Sequence, residues 1–337
     1  MRVVVCPQPH QIAIETRDMA VANTDEALLR IKRVGICGTD YHIYGGLHPF
    51  LNYPRVIGHE ISAVVEQAPA GSGFTAGQLV VVNPYIACGT CRACAAGKPN
   101  CCMRIAVLGV HKDGGMAELL ALPLRNLVPA KDLDADQAAS VEFLAIGAHA
   151  VRRGEVAPGM KVLVIGAGPI GLGTALFASI AGAEVTIADR NLDRLKLVLS
   201  LKQFDRSLLV DADFPAAVAA ATNGDGFDVV LDATGSPASM EASFAHVAHG
   251  GAMVLVGLVK AMISFDDPEF HRREMSLLAS RNATREDFDN VILAIRNREI
   301  DISRLVTHRT TLDRVTTDLP RWAKDKAGLI KAMVEFE

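Results

Sequence analysis

Gly166-Ala167-Gly168-Pro169-Ile170-Gly171 stands between the apolar run Lys161–Ile165 and a second apolar stretch, inside an uncharged segment from Val162 to Ala183. A segment of that length and polarity can span a membrane. Here Pro169 and glycines 166, 168, 171, 173 and 182 interrupt it, and it reads instead as a buried strand, a tight turn and a buried helix. In that setting the first glycine permits the turn, the second lets the backbone approach a pyrophosphate, and the third lets helix pack on strand. The helix N-terminus opening near Ile170 then attracts phosphate charge. Read alone, such a pattern is an ordinary glycine turn. The correct flanking elements favour a dinucleotide site.

Asp189 ends the next apolar run, 18 residues after Gly171, where a carboxylate holds the hydroxyls of the adenosine ribose. A carboxylate there repels a ribose phosphate and favours NAD over NADP, a preference that the neighbouring Arg190 and Arg194 dilute. Thr234, in Asp-Ala-Thr-Gly, and Val256-Gly257 close later strands with small residues that would line the nicotinamide half. The apolar runs KVLVI, EVTIA, DVVLD and AMVLVG alternate with helical stretches at 170–182, 191–202, 213–222 and 237–248, the pattern of a doubly wound parallel sheet. Residues 1–150 have a different texture. VVVC, ALLRIKRVG, ISAVVEQ and QLVVVNP are short β-branched runs among Gly and Pro, which predicts a β-rich barrel or sandwich with long loops. Past about Ser280 the chain turns more polar, with a helix expected from Arg285 to Arg298.

Five of the seven cysteines fall between Cys88 and Cys102. The N-terminal MRVVVCPQPHQIAIETRD lacks the apolar core and cleavage site of a signal peptide, so the expectation is a cytoplasmic protein, in which clustered cysteines bind metal rather than pair. Cys88, Cys91 and Cys94 form two successive C-x2-C steps, with Cys101 or Cys102 as the fourth thiolate, the donor set of a closed structural zinc site. An iron–sulfur cluster is the less favoured use of such a set. With Lys+Arg 34 against Asp+Glu 38 and a net charge of −4, the chain has no basic footprint for nucleic acid or anionic membrane. A small-molecule substrate is expected instead.

Val34-Gly-Ile-Cys37-Gly-Thr39-Asp-Tyr-His42 and Val56-Ile-Gly-His59-Glu60 add a thiolate, an imidazole and carboxylates on two loops. Singly, Cys37 is an ordinary buried cysteine and His59 a core histidine. Beside a zinc lobe and a nicotinamide fold they form candidates for a catalytic metal with an open position.

GICGTD, GHE, the cysteine lobe, GAGPIG and Asp189, in this order, resemble the zinc-containing medium-chain alcohol/polyol dehydrogenases over essentially the whole chain. RVIGHE, GKPNCC, VLGVHKDGG, DPEFHRRE and SRNATREDF most resemble the bacterial sugar-acid dehydrogenases of the L-galactonate 5-dehydrogenase type. The resemblance implies an α/β chain: a GroES-like β-rich catalytic domain (1–150 and 281–337) and a Rossmann NAD-binding domain (151–280), with two zincs per chain and a dimer or tetramer. It implies that the active site lies between the domains, which would close on NAD, and that Cys37, His59, Glu60 and Glu142 surround the catalytic zinc. The family's spacing selects Cys102 over Cys101 for the structural one. Relatives have Pro after the residue matching Glu142, whereas this chain has Phe143. Thr39 and His42 match a hydroxyl–imidazole relay, and Ile43 replaces a tyrosine common in polyol dehydrogenases. His111 and Arg281 are candidate cations for a sugar-acid carboxylate. The expected reaction is NAD-dependent oxidation of a secondary hydroxyl of a sugar acid. Polyol or L-threonine oxidation is the nearest alternative, and a non-catalytic zinc- and nucleotide-binding regulator the alternative from another class.

Overall fold

The computed structural model describes residues 1–48 and 51–337, in two compact units: Met1–Phe143 with Thr284–Glu337, and Leu144–Ala283. The divisions thus fall after Phe143 and after Ala283, rather than near 150 and 280.

In the second unit six parallel strands lie in the order Ser207–Leu209, Glu184–Asp189, Lys161–Ile165, Phe227–Asp232, Val247–Leu255 and Ser276–Ala279. The chain leaves Lys161–Ile165 first toward one edge and later toward the other, so the carboxyl ends of that strand and of Phe227–Asp232 flank a topological switch point, where open α/β sheets bind ligands. The central strands bury nearly every residue, as parallel strands covered on both faces must. Helices Pro169–Ile180, Leu192–Ser200 and Phe214–Thr222 follow the predicted pattern. The predicted helix 237–248 ends earlier. Pro237–Ser243 tightens into a 3-10 turn at Phe244–His246, and Val247 begins a strand because parallel pairing with Phe227 claims it. Periodicity carries no information about that long-range pairing.

In the first unit, the path of the main sheet runs Leu127–Pro129, Leu79–Val82, Glu60–Gln67, Glu26–Ile36, Lys331–Glu335, Val306–Thr311, with Leu119–Pro123 also paired to Glu26–Ile36. The C-terminal strand therefore lies beside the strand that leads to Cys37. Helix Arg285–Arg296, capped by Thr284 and Asp287, belongs to this unit and buries Phe288, Val291, Ile292 and Ile295. Among the described residues no helix is long and apolar enough to cross a membrane.

Candidate active site

Cys37 follows the long strand Glu26–Ile36 and caps helix Gly38–Tyr44, and His59 and Glu60 follow a turn at Gly58. Gly58 has φ +90°, and a Cβ there would lie 2.7 Å from Val34 and 2.8 Å from Met116. Only glycine makes this turn in that space. Asp40, the carboxylate of the first loop, is not among the clustered ligand atoms but joins the two loops: its buried carboxylate accepts the N–H of Cys37 (2.8 Å) and of Gly58 (3.0 Å). Burial raises its pKa, against the pull of His59 and of these donors.

Ligand atoms of Cys37, His59 and Glu60 all lie within 4.8 Å of one another. His59 Nδ1 is buried without a hydrogen-bond partner, a cost that proteins rarely leave uncompensated. Burial opposes the imidazolium of His59, but the Cys37 sulfur, Asp40 and Glu142 outweigh it and raise its pKa. A thiolate, an imidazole and a carboxylate whose ligand atoms share so small a space are a donor set that fits a zinc ion. Glu142 stands outside this trio, and its Oε1 accepts a short hydrogen bond from the buried Tyr85 hydroxyl.

Glu60 is not an idle carboxylate. Lys331 Nζ, 1% exposed, donates to Glu60 Oε1 at 2.6 Å and Oε2 at 2.7 Å, and Glu60 is 0% exposed. Lys331 comes from the C-terminal strand, and the intervening strand carries Gly35 opposite Glu60. A Cβ at Gly35 would lie 2.0 Å from Glu60 Oε2. The Lys331 ammonium also sits 4.3 Å from the centre of the fully buried Phe143 ring, a cation–π contact. Phe143, the departure from the relatives' pattern, thus faces a lysine. The signal for Lys331 was a charge inside the apolar run IKAMVEF. For Tyr85 there was no local signal.

Thr39 Oγ1 lies 3.9 Å from Cys37 Sγ, and His42 is exposed one turn on; no hydrogen bond joins the two among the described residues. Partial burial and the Lys326 ammonium lower the pKa of His42. His48, absent from the sequence candidates, has its pKa lowered by partial burial and by the charges of His42, His111 and His59. The exposed His111 accepts the Val107 N–H at Nδ1 (3.1 Å). Arg281 is exposed in the second unit.

The sulfurs of Cys88, Cys91, Cys94 and Cys102 lie within 4.8 Å of one another, with Cys91 at 3.5 Å from Cys94 and 3.9 Å from Cys102. Four sulfurs at about 2.3 Å from a tetrahedral centre stand about 3.8 Å apart, so the set fits zinc. Cys88 and Arg104 donate backbone N–H groups to Cys102 Sγ, both at 3.3 Å, and donation by Thr90 is the main cause lowering the Cys88 thiol to about 5. Cys101 is exposed, and Cys6 is buried in the core.

In the second unit Gly166 has φ +102°, a Cβ at Gly171 would lie 1.7 Å from Gly166 O, and one at Gly168 would meet nothing within 4 Å. The turn, the close packing and the open approach fall to the glycines in that order. Asp189 accepts the N–H of Ala167 (2.7 Å) and Asn191 (2.8 Å), with Arg194 4.0 Å away. Its remaining lone pairs stay available. Gly166, Gly168, Asp189, Arg190, Arg194 and Thr234 line one cavity of about 500 Å³. Pro169 and Ile170 open helix Pro169–Ile180 and are not among the residues that line the cavity. Val256 and Gly257 lie outside its lining, their N–H groups donating to Asp232 O at 2.9 and 3.0 Å.

Residues 23–132 match the alcohol dehydrogenase GroES-like domain, and residues 169–297 match the zinc-binding dehydrogenase domain. L-galactonate-5-dehydrogenase of Escherichia coli K12 is 42% identical, over 100% of this chain and 99% of that one. This chain belongs to the zinc-containing medium-chain alcohol dehydrogenase family. It is an oxidoreductase, built from a GroES-like unit and a Rossmann unit. A short-chain alcohol dehydrogenase of E. coli CFT073, solved in complex with NADH, matches with a TM-score of 0.92 at 29% identity, covering 100% of this chain and 99% of that one. L-idonate 5-dehydrogenase of E. coli K-12 MG1655 gives 0.91 at 27%, over 99% and 98%.

Proposed function

We propose that this dehydrogenase oxidises a secondary hydroxyl of a sugar acid of the L-galactonate, L-gulonate or L-idonate class, with NAD as acceptor and two zincs per chain. The observation that carries the reading is the full-length 42% identity to L-galactonate-5-dehydrogenase. Ile43, where a polyol-contacting tyrosine would stand, supports the acid over an uncharged polyol. Cys37, His59 and Glu60 would hold the catalytic zinc, and Cys88, Cys91, Cys94 and Cys102 the structural one. When bound, the catalytic ion polarises the substrate hydroxyl and NAD takes up the hydride.

The chain's own residues do the rest. Asp40 fixes the spacing of the two ligand loops, and Lys331 neutralises Glu60. Thr39 and His42 carry the hydroxyl proton outward, with the neutral imidazole as acceptor. Tyr85 orients Glu142 beside the trio. His111, whose Nδ1 accepts the Val107 N–H and which therefore acts as a neutral Nε2–H donor, and the Arg281 guanidinium are the candidate partners of a substrate carboxylate, and Asp189 takes the ribose hydroxyls and disfavours NADP.

A panel of L-galactonate, L-gulonate, L-idonate, sorbitol, galactitol and L-threonine, assayed with NAD and with NADP, tests the proposal. The expected order is an acid first, with NAD. Faster turnover of any uncharged polyol than of every acid overturns the carboxylate assignment. One zinc per chain with no NADH formation from any alcohol would favour a non-catalytic binder.

A further inference from the structure

The 500 Å³ cavity is deeper than its glycine mouth requires. From Asp189, Gly166 and Gly168 at the carboxyl ends of the strands it continues along the face of helix Pro237–Ser243, past Ser239, Ala242 and Ser243 to His246. These four positions are spaced as one helical face, and the first three are small, so the groove stays open down to the imidazole.

Most polar groups along this wall are already engaged. The hydroxyls of Thr234, Ser239 and Ser243 all donate to the buried Asp232 carboxylate, at 2.6, 2.7 and 3.1 Å, and Ser236 Oγ caps the helix on Ser239 N. His246 differs. It is 7% exposed, lines the cavity, and its ring makes no hydrogen bond among the described residues. Phe214 holds it edge-on, with ring centres 4.9 Å apart. Burial, and then the charge of Arg273, lower its pKa, so the ring is neutral and offers one N–H and one bare nitrogen. A buried, unpaired polar ring in a cavity wall invites a ligand with complementary groups.

We propose that His246 reads the adenine of the dinucleotide, its bare ring nitrogen accepting from the exocyclic N6 amino group. Adenine is flat and apolar on its faces, with donor and acceptor groups only on its edge, which suits a groove walled by Val210, Phe214 and Ala242 and lined by one neutral imidazole; the same four residues also border a second cavity of about 630 Å³. The inference rests on the dinucleotide reading of this cavity. It adds a specificity residue to the cavity that Asp189 also lines.

The test compares NADH with 1,N6-ethenoadenine NADH, in which the amino group is tied into a third ring, by fluorescence titration of the intact enzyme, its His246→Phe, His246→Gln and Asp189→Ala variants. Wild type should bind the etheno form about tenfold more weakly than NADH, the loss expected for one buried hydrogen bond. His246→Phe keeps the bulk of the ring but not its polarity. It should weaken NADH about tenfold and abolish the etheno penalty, whereas His246→Gln should retain both affinity and penalty in part. A purely space-filling role would give the reverse, with Phe tolerated. Wild-type affinity for NADH in His246→Phe, or an undiminished etheno penalty there, overturns the inference. The underlying reading fails separately: it falls if Asp189→Ala binds NADH as wild type does, while a weakened Asp189→Ala beside an unaffected His246→Phe removes only the role of His246.

Discussion

His42 shows how one exposed charge can set the working range of a neighbour. A relay that removes the substrate proton needs His42 unprotonated, and activity falls as pH drops through its pKa. Partial burial and the Lys326 ammonium both disfavour the imidazolium, so the pKa lies below the ordinary histidine value and the acceptor form persists to lower pH. Lys326 also packs on the Tyr41 ring, 4.4 Å from its centre, which keeps the charge in place. Lys326→Glu replaces repulsion of the protonated ring with attraction, so the pKa of His42 rises. The acidic limb of the kcat–pH profile should then move to higher pH, by several tenths of a unit to about one unit for a partly screened surface charge. A limb that stays in place removes either His42 from the proton path or Lys326 from its surroundings.

Three adjacent strands, Glu60–Gln67, Glu26–Ile36 and Lys331–Glu335, place a glycine between an acid and a lysine. The gap above Gly35 lets Lys331 reach across to Glu60, and both side chains are sealed from water. Removing one partner of a buried ion pair strands the other charge, which costs about 3–5 kcal/mol. Lys331→Met should therefore lower the stability of the zinc-free chain by about that amount in urea unfolding. With zinc restored the loss should shrink, because a divalent cation beside Glu60 offsets the same charge; an equal loss in both forms would separate Lys331 from the metal site. This pair also marks the limit of what the sequence makes legible. Cys37, His59 and Glu60 stand in short motifs whose residue types are metal donors wherever they occur, and the glycine turn sits between a strand and a helix as local patterning predicts. Lys331 lies 271 residues from Glu60, and only the register of the C-terminal strand brings them together. The same cause explains the overrun at 237–248: Val247 is helical by periodicity and a strand by its partner Phe227.

At the scale of the whole molecule, the cysteine lobe and the catalytic cluster belong to the same unit, and the chain passes from one to the other through Tyr85–Ile86. Tyr85 is fixed on three sides. Its hydroxyl binds Glu142, its carbonyl accepts from Asn126 Nδ2 at 3.2 Å, and its ring meets Phe288 edge-on at 6.4 Å. Cys88 follows three residues later, so the lobe's first thiolate and the hydroxyl that orients Glu142 share one short segment. A closed tetrahedral site contributes folding energy to the loop it gathers. Its loss should free that segment and reach Glu142 through Tyr85. Cys91→Ser should accordingly bind one zinc per chain fewer than wild type, melt at lower temperature, and lose kcat while zinc at the Cys37 cluster is retained. Tyr85→Phe should keep both zincs and reproduce the kcat loss, on the order of 10- to 100-fold for a residue that orients groups at a metal site. Zinc analysis beside steady-state kinetics separates the cases. Wild-type kcat in Tyr85→Phe would cut the connection, leaving the lobe as a support for the fold alone.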